Sequence, residues 1–338
     1  MKALIIGLGS IGRRHLANLR MLEPSADITV WRQHSKPDEN SFFPPLEANQ
    51  VVYTLEDALD ARPDFAIIAS PAAMHISTAK ILAQNDIHIL IEKPLSDTLK
   101  GIDELLGLCR EKDLVLLVAY HLRFSKSLQV VRNAILAGKI GRIMSIQAEV
   151  GQYLPEWRPA ADYRTGVSAR RALGGGVVLE LSHELDYVRW LVGEVKSVAA
   201  EVGRLSDLEI DVEDTAEIIL RFQNGAIGTV HLDMTQRVMT RTCRIVGTQG
   251  TLLWNGLSHQ VQFFAAASKE WSELHSADSK PADEMYVSEM RHFLRCVRNE
   301  EMPVVSGTDG LRVLEIALAA KESSLTRRFV DLQNMANN

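Results

Sequence analysis

The sequence predicts an α/β domain built on a doubly wound parallel sheet, followed by an α+β domain with an open-faced, largely antiparallel sheet. Continuous apolar runs alternate with helical patterns through residues 1–120, as in a sheet buried on both faces. Beyond that, apolar residues recur at every second position, the period of strands with one buried face. A length of 338 residues also suits two cores better than one. The expected domains are therefore 1–120 and 121–338.

The first strand, Lys2 to Ile6, runs into Gly7-Leu8-Gly9-Ser10-Ile11-Gly12, and Arg13-Arg14-His15-Leu16 opens a helix that continues through Leu19 and Leu22 to Pro24-Ser25. Three glycines at this spacing between strand and helix mark a dinucleotide site. Gly7 makes the tight turn, Gly9 admits a pyrophosphate to the backbone, and Gly12 lets helix and strand pack closely. The helix start, with Ser10 and Ile11, offers its N–H groups and positive dipole end to the phosphates. A second strand, Ile28 to Trp31, ends at Arg32. An acid at that position would take a ribose 2′-hydroxyl, whereas an arginine accommodates a 2′-phosphate. Ser35 and Lys36 follow and the first acid is Asp38, so NADP(H) is favoured over NAD(H).

Phe42-Phe43-Pro44-Pro45 reads as a loop, Val51–Tyr53 as a short strand and Leu55–Leu59 as a short helix. The buried strand Phe65–Ala69 runs into Ser70-Pro71, at the strand edge where open α/β sheets bind ligands. A helix over Ile76–Leu82 leads to strand Ile87–Ile91, which ends in Glu92-Lys93-Pro94. Helix Ile102–Cys109 and strand Leu114–Ala119 complete the domain. A lysine at the end of a parallel strand is suited to hydrogen-bond a substrate hydroxyl and stabilise charge developing on its oxygen. A proline beside it suits a cis peptide bond.

In the second half, Met144–Val150, Ala216–Phe222, Ile227–Met234, Thr242–Val246, Gly250–Trp254 and Val261–Phe264 read as strands, with Asn224-Gly225 as a hairpin turn. Helices are expected over 127–136, 178–191, 283–298 and 310–324. The stretch 265–283 and the last few residues are read as disordered. Gly174-Gly175-Gly176 precedes a helical pattern that sets Glu180, His183 and Asp186 three apart. A histidine flanked by carboxylates is suited to carry a proton at neutral pH.

The set Gly7–Gly12, Ser70-Pro71 with His75, Glu92-Lys93-Pro94, and Gly174–Gly176 with His183-x-x-Asp186 resembles the glucose-fructose oxidoreductase/inositol dehydrogenase (Gfo/Idh/MocA) family of NAD(P)-dependent oxidoreductases. The resemblance runs over nearly the whole chain. It implies a Rossmann domain, an open-sheet domain and an active site between them. It further implies a cofactor site that includes Ser70, Pro71, His75, Glu92, Lys93 and His121. Lys93 and His183 would work at the reacting carbinol, with His183 as acid/base, and the open sheet face would join a homodimer or homotetramer. Two positions depart from the family pattern. Glu180 stands three residues before His183, where the family usually has an aspartate four before. His121, in Ala119-Tyr120-His121-Leu122-Arg123-Phe124, stands where asparagine is common and adds a second titratable ring.

The loop Gly151–Arg171 crowds Tyr153, Trp157, Arg158, Tyr163, Arg164, Arg170 and Arg171 ahead of the catalytic helix. Arginine grips carboxylate or phosphate, so these residues read as a substrate collar for a sugar bearing an anionic group, a sugar acid or nucleotide-sugar. The loop and the Ser182–Tyr187 run also resemble a branch of the family linked to sialic-acid-like sugars. Arg123 and Asp186 join the residues expected at the substrate. Catalysis would thus rest on Lys93, His183 and Glu180. The alternatives are a catalytically silent NADP-binding regulator and a redox-assisted glycoside hydrolase.

A net charge of −6 argues against general affinity for nucleic acid or anionic membrane. Three widely spaced cysteines fit a reducing compartment, and no apolar run is long enough to span a bilayer, so the chain is read as cytoplasmic. Glu289-x-x-His292 has the spacing of a metal-ligating pair, but Tyr286, Met290, Phe293, Leu294 and Val297 make that helix a core helix, and no metal is expected.

Overall fold

A computed structural model describes residues 1–32, 47–276 and 284–335; Ser35, Lys36, Asp38 and the Phe42–Pro45 loop lie outside them. The described residues form two compact units, Met1–Ala119 with Tyr286–Leu311, and Tyr120–Met285 with Arg312–Asn338.

The first unit runs β1 (Lys2–Ile6), α1 (Ser10–Leu22), β2 (Asp27–Trp31), β3 (Gln50–Val52), α2 (Leu55–Asp60), β4 (Phe65–Ile68), α3 (His75–Gln84), β5 (His88–Glu92), α4 (Ile102–Glu111) and β6 (Leu116–Ala119). The six strands are ordered β3-β2-β1-β4-β5-β6, all parallel. Strands β4 and β6 are buried along their whole length, which explains their unbroken apolar sequence.

The second unit begins with a 3-10 turn, His121–Phe124, and continues α5 (Lys126–Leu136), β7 (Ile143–Gly151), α6 (Val177–Glu180), α7 (His183–Val192), β8 (Val195–Gly203), β9 (Thr215–Phe222), β10 (Ile227–Asp233), β11 (Thr240–Gly247), β12 (Gly250–Asn255), β13 (Gln260–Ala265) and β14 (Glu270–His275). Ile146, Ala148 and Val150 are buried while Gln147 is exposed, as the two-residue period requires. The turn from β9 to β10 uses Gly225 at φ +87°, a left-handed conformation that costs glycine little.

Later segments divide between the units. Helix α8 (Glu284–Val297) and the bridge from Ser306 to Leu117 lie with the first unit. Helix α9 (Gly307–Thr326) starts there and ends in the second unit, where β15 (Val330–Asp331) pairs with β8. The nine-stranded order is β14-β13-β12-β11-β7-β10-β9-β8-β15. Within it only β7 and β10 pair in parallel.

Three expectations change. Residues 286–311, read from the sequence as part of the second domain, belong to the first compact unit. Met290, Phe293 and Leu294 sit in one core with Ile5, Leu16, Leu19, Ile28 and Phe65, and Phe293 meets Phe65 edge-to-face at 5.4 Å. Burying each such side chain stabilises by about 1.5–3 kcal/mol. Second, the stretch read as disordered from 265 contains β14. An edge strand with Glu270, Trp271, Ser272 and Glu273 all exposed carries no burial period to read. Third, the single helix expected over 178–191 is broken at Leu181-Ser182 into α6 and α7.

Glu289, on the core side of α8, is 1% exposed, and neither carboxyl oxygen has a hydrogen-bond partner among the described residues. Burial first, and the Glu92 charge second, push its pKa well above the usual carboxylate range. The folded chain therefore keeps a proton that the unfolded chain has lost, and stability falls as pH rises above that range. Glu289→Met is expected to raise Tm, and by more at pH 8 than at pH 5. Equal increments at the two pH values would contradict a raised Glu289 pKa.

Candidate active site

The first unit supplies a cofactor cradle. Gly7 has φ +91° at the end of β1, and a Cβ there would meet the Ala69 carbonyl oxygen at 2.7 Å. A Cβ on Gly12 would lie 2.0 Å from the Gly7 carbonyl oxygen, whereas one on Gly9 would meet no protein atom within 4 Å. Gly9 is the N-cap of α1, with Ser10 and Ile11 in the first turn. Beside them Ser70 Oγ is buried without a hydrogen-bond partner among the described residues. Bare backbone at a helix start with a spare buried hydroxyl is the environment a pyrophosphate requires, so the residues fit a dinucleotide. Arg32 stands half-buried just past β2, its amide donating to the Val52 carbonyl at 3.0 Å.

At the same edge of the sheet, β5 ends in Glu92, and the Lys93–Pro94 peptide bond is cis. Lys93 is half-buried, but its neighbours are sequestered. Glu92 Oε1 lies 2.7 Å from His15 Nε2, and its Oε2 accepts from the Lys93 amide at 3.2 Å. His75 is 1% exposed, its ring between the carbonyl oxygens of Ser70 (2.7 Å) and Pro94 (3.0 Å). Burial holds its pKa below the usual value, and a neutral ring has one N–H for these two acceptors. Glu92 and His75, both expected at the cofactor, also tie β4, β5 and α1 together at the Lys93 turn.

In the second unit His183 opens α7 and is 5% exposed. Its ring packs edge-to-face on His121, with centroids 4.3 Å apart, and on Tyr120 at 5.4 Å. Tyr120 donates its hydroxyl hydrogen to Ser182 Oγ at 3.2 Å. Glu180 accepts from Ser168 Oγ at 2.7 Å; the break at Leu181-Ser182 takes it off the helix that carries His183. Arg123 and Asp186, both expected at the substrate, are buried against each other, with side chains 5% and 0% exposed and N···O distances of 2.6–3.1 Å. On another side of α7, Glu184 pairs with Arg241 of β11 at 2.9 Å.

The arginine-rich loop is more occupied than its sequence suggests. Arg164 forks onto Asp162 at 2.8 and 3.0 Å and lies 3.4 Å from Glu209. The Arg164 partnership holds the Asp162 carboxyl below its usual range. Arg170 donates to the Arg164 carbonyl, and Arg171 to that of Asp211. Tyr163 accepts from the Glu209 amide, Trp157 donates to the Gln152 carbonyl, and Arg237 stacks over Tyr153 at 3.5 Å. Of the four arginines, Arg158 alone has a side chain with no hydrogen bond or ion pair to another described residue.

Sequence reasoning missed His15, Tyr120, Ser168, Ser182 and Arg241. All but Ser168, which is twelve residues from Glu180, act through a partner far away in sequence, which no local spacing announces. His292 points to Glu301 at 2.6 Å, and no metal-binding group of three ligands occurs among the described residues. None of the described helices is long and apolar enough to cross a membrane.

Residues 1–120 match the model of an oxidoreductase family with an NAD-binding Rossmann fold, and residues 128–253 match the GFO/IDH/MocA C-terminal domain. Myo-inositol 2-dehydrogenase of Thermotoga maritima is 26% identical, covering 99% of each chain. UDP-N-acetylglucosamine 3-dehydrogenase of Acidithiobacillus ferrooxidans is 23% identical over 95% of this chain and 96% of its own. Among solved structures, levoglucosan dehydrogenase in complex with NADH and L-sorbose superposes with a TM-score of 0.85 at 20% identity, covering 98% of each chain.

Proposed function

Because the chain belongs to the Gfo/Idh/MocA family of oxidoreductases, with its NAD-binding Rossmann fold, we propose that it transfers hydride between a nicotinamide cofactor and a secondary carbinol of a sugar or sugar derivative. The observation that carries this reading is Lys93, set on a braced turn at the same sheet edge as the Gly7–Gly12 cradle. Bound there, the nicotinamide supplies or accepts the hydride. His183 takes the hydroxyl proton as the carbinol is oxidised and returns it in reduction. Lys93 donates a hydrogen bond to the same oxygen and stabilises the charge that develops on it. Ser168 braces Glu180, which contributes negative charge near the base of the catalytic helix.

The substrate is proposed to be anionic. Its support is Arg158, together with Trp157 next to it in sequence, and a relative that acts on a nucleotide-sugar. NADP(H) is favoured by Arg32, with no acid at the corresponding position. The test is a 340 nm assay of inositols, anhydro-sugars, sugar acids and nucleotide-sugars with NAD and NADP. Net absorbance change with an acidic sugar is expected. Turnover without net change would favour the redox-assisted hydrolase, and equal rates on neutral polyols would remove the anion. Arg32→Asp is expected to weaken NADPH far more than NADH; an unchanged ratio of dissociation constants would remove the NADP preference.

A homodimer or homotetramer through the open sheet face is part of the same reading. That face exposes Ile219 and Ile227 among polar residues. Its His231 lies between Glu217 (2.6 Å) and Asp233 (3.0 Å), and the hydrogen bond to Asp233 chiefly lifts its pKa to about 9. Buried free thiols at Cys109, Cys243 and Cys296 support placement in a reducing cytoplasm.

A further inference from the structure

We propose that Arg123 is a positioning residue: its buried fork to Asp186, with Tyr120 bonded to Ser182, holds the His121 ring on His183 and fixes where the His183 nitrogens point. This rests on the reading of His183 as the acid/base. The contacts match in order along two short segments. Tyr120 meets Ser182, His121 meets His183, and Arg123 meets Asp186. One segment is a 3-10 turn and the other the start of α7, where residues three apart share a face. A histidine ring caught between two polar attachments on the same pair of segments has little freedom to turn.

The fork is not needed merely to keep α7 in place. Glu184 anchors the same helix to β11 through Arg241, and Leu185, Val188 and Leu191 bury its apolar face. A buried ion pair is weak evidence for stability, since well-packed apolar residues of similar volume often serve as well. What apolar residues cannot supply is direction. A guanidinium offers two parallel N–H groups from one plane, and here Nε and Nη2 both reach the Asp186 carboxylate, at 2.9 and 2.6 Å. The turn itself is closed by Gln129, which donates to the Arg123 carbonyl at 3.1 Å. Trp190, on the same helix as Asp186, lies 5.7 Å from the guanidinium.

The test uses the full chain with isotope-labelled histidine, ring signals being assigned with His121→Gln and His183→Gln. Three variants are compared with it: Arg123→Met, the double variant Arg123→Met/Asp186→Leu, and Arg123→Lys. The single methionine variant strands the Asp186 carboxylate and is expected to lower Tm. The double variant is expected to recover Tm yet lose the cross-relaxation between the His121 and His183 rings, with His183 nitrogen shifts moving toward a tautomer mixture. Retention of both signals in the folded double variant would overturn the proposal, leaving Arg123 a structural residue. If the double variant does not fold, Arg123→Lys decides. It keeps the charge and loses the fork, so altered His183 signals support positioning and unchanged ones refute it. The ring signals are read without substrate. Full turnover in His183→Ala would defeat the acid/base reading while leaving the ring geometry result standing.

Discussion

His183→Ala is expected to lower kcat by about 10²–10⁴-fold, the range a positioned general acid or base contributes, with NADPH affinity unchanged. The separation follows from where the residues lie. The cofactor cradle is built from Gly7, Gly9, Gly12 and Ser70 in the first unit, whereas His183 belongs to the second. Lys93→Ala is expected to cost about 10²–10³-fold in kcat, as for loss of one donor to a developing negative oxygen. Lys93 sits on the cradle's own unit, so its alanine variant also tests whether the turn survives. His15, Glu92 and His75 brace that turn through backbone and buried atoms rather than through the Lys93 side chain. Steady-state rates and NADPH fluorescence titration check both variants. A double variant that still turns over sugar would refute the assignment; one that binds NADPH but is inert agrees with it.

The parallel sheet and its glycine turn were legible in the sequence because each feature is local. Buried strands are apolar throughout, and the glycine spacing is itself a short local pattern, although the Gly7 contact with Ala69 is not local. The alternating strands β7, β9 and β10 were legible for the same reason. The fate of charged residues was not. Arg123 and Asp186 are 63 positions apart, and a sequence shows two polar residues near a catalytic motif without showing that they neutralise each other. Arg164 shows the same problem at short range, since Asp162 is visible two residues away but a solvated aspartate would look identical. His75 and Glu92 follow a motif that points to cofactor, yet their ring and carboxylate turn inward. Helix α8 reads correctly as a core helix; what a pattern of apolar residues cannot state is which core. Each of these residues has a partner that only the folded chain specifies.

Gly12→Ala and Gly9→Ala should separate two reasons for keeping glycine in one turn. At Gly12 the added carbon would stand 2.0 Å from the Gly7 carbonyl oxygen and 3.0 Å from its carbonyl carbon. Both are backbone atoms, and Gly7 itself is held at φ +91° against Ala69, so relief requires α1 to move off the sheet. Overpacking of this kind costs about 1–3 kcal/mol, occasionally more. Tm should fall, and NADH binding should be lost with the displaced helix start. At Gly9 the same carbon meets no protein atom within 4 Å, and an N-cap alanine costs only about 0.5–2 kcal/mol even where a good capping side chain is lost. Glycine is itself a better N-cap than alanine, so Gly9→Ala should lower Tm modestly, and by less than Gly12→Ala. NADH affinity should nevertheless drop sharply, because the methyl group stands where the pyrophosphate would approach the helix. Thermal melts and NADH titrations of the two variants give the comparison. Undiminished NADH affinity in Gly9→Ala would place the pyrophosphate elsewhere, and an unchanged Tm in Gly12→Ala would mean that α1 and β1 are not packed through that glycine.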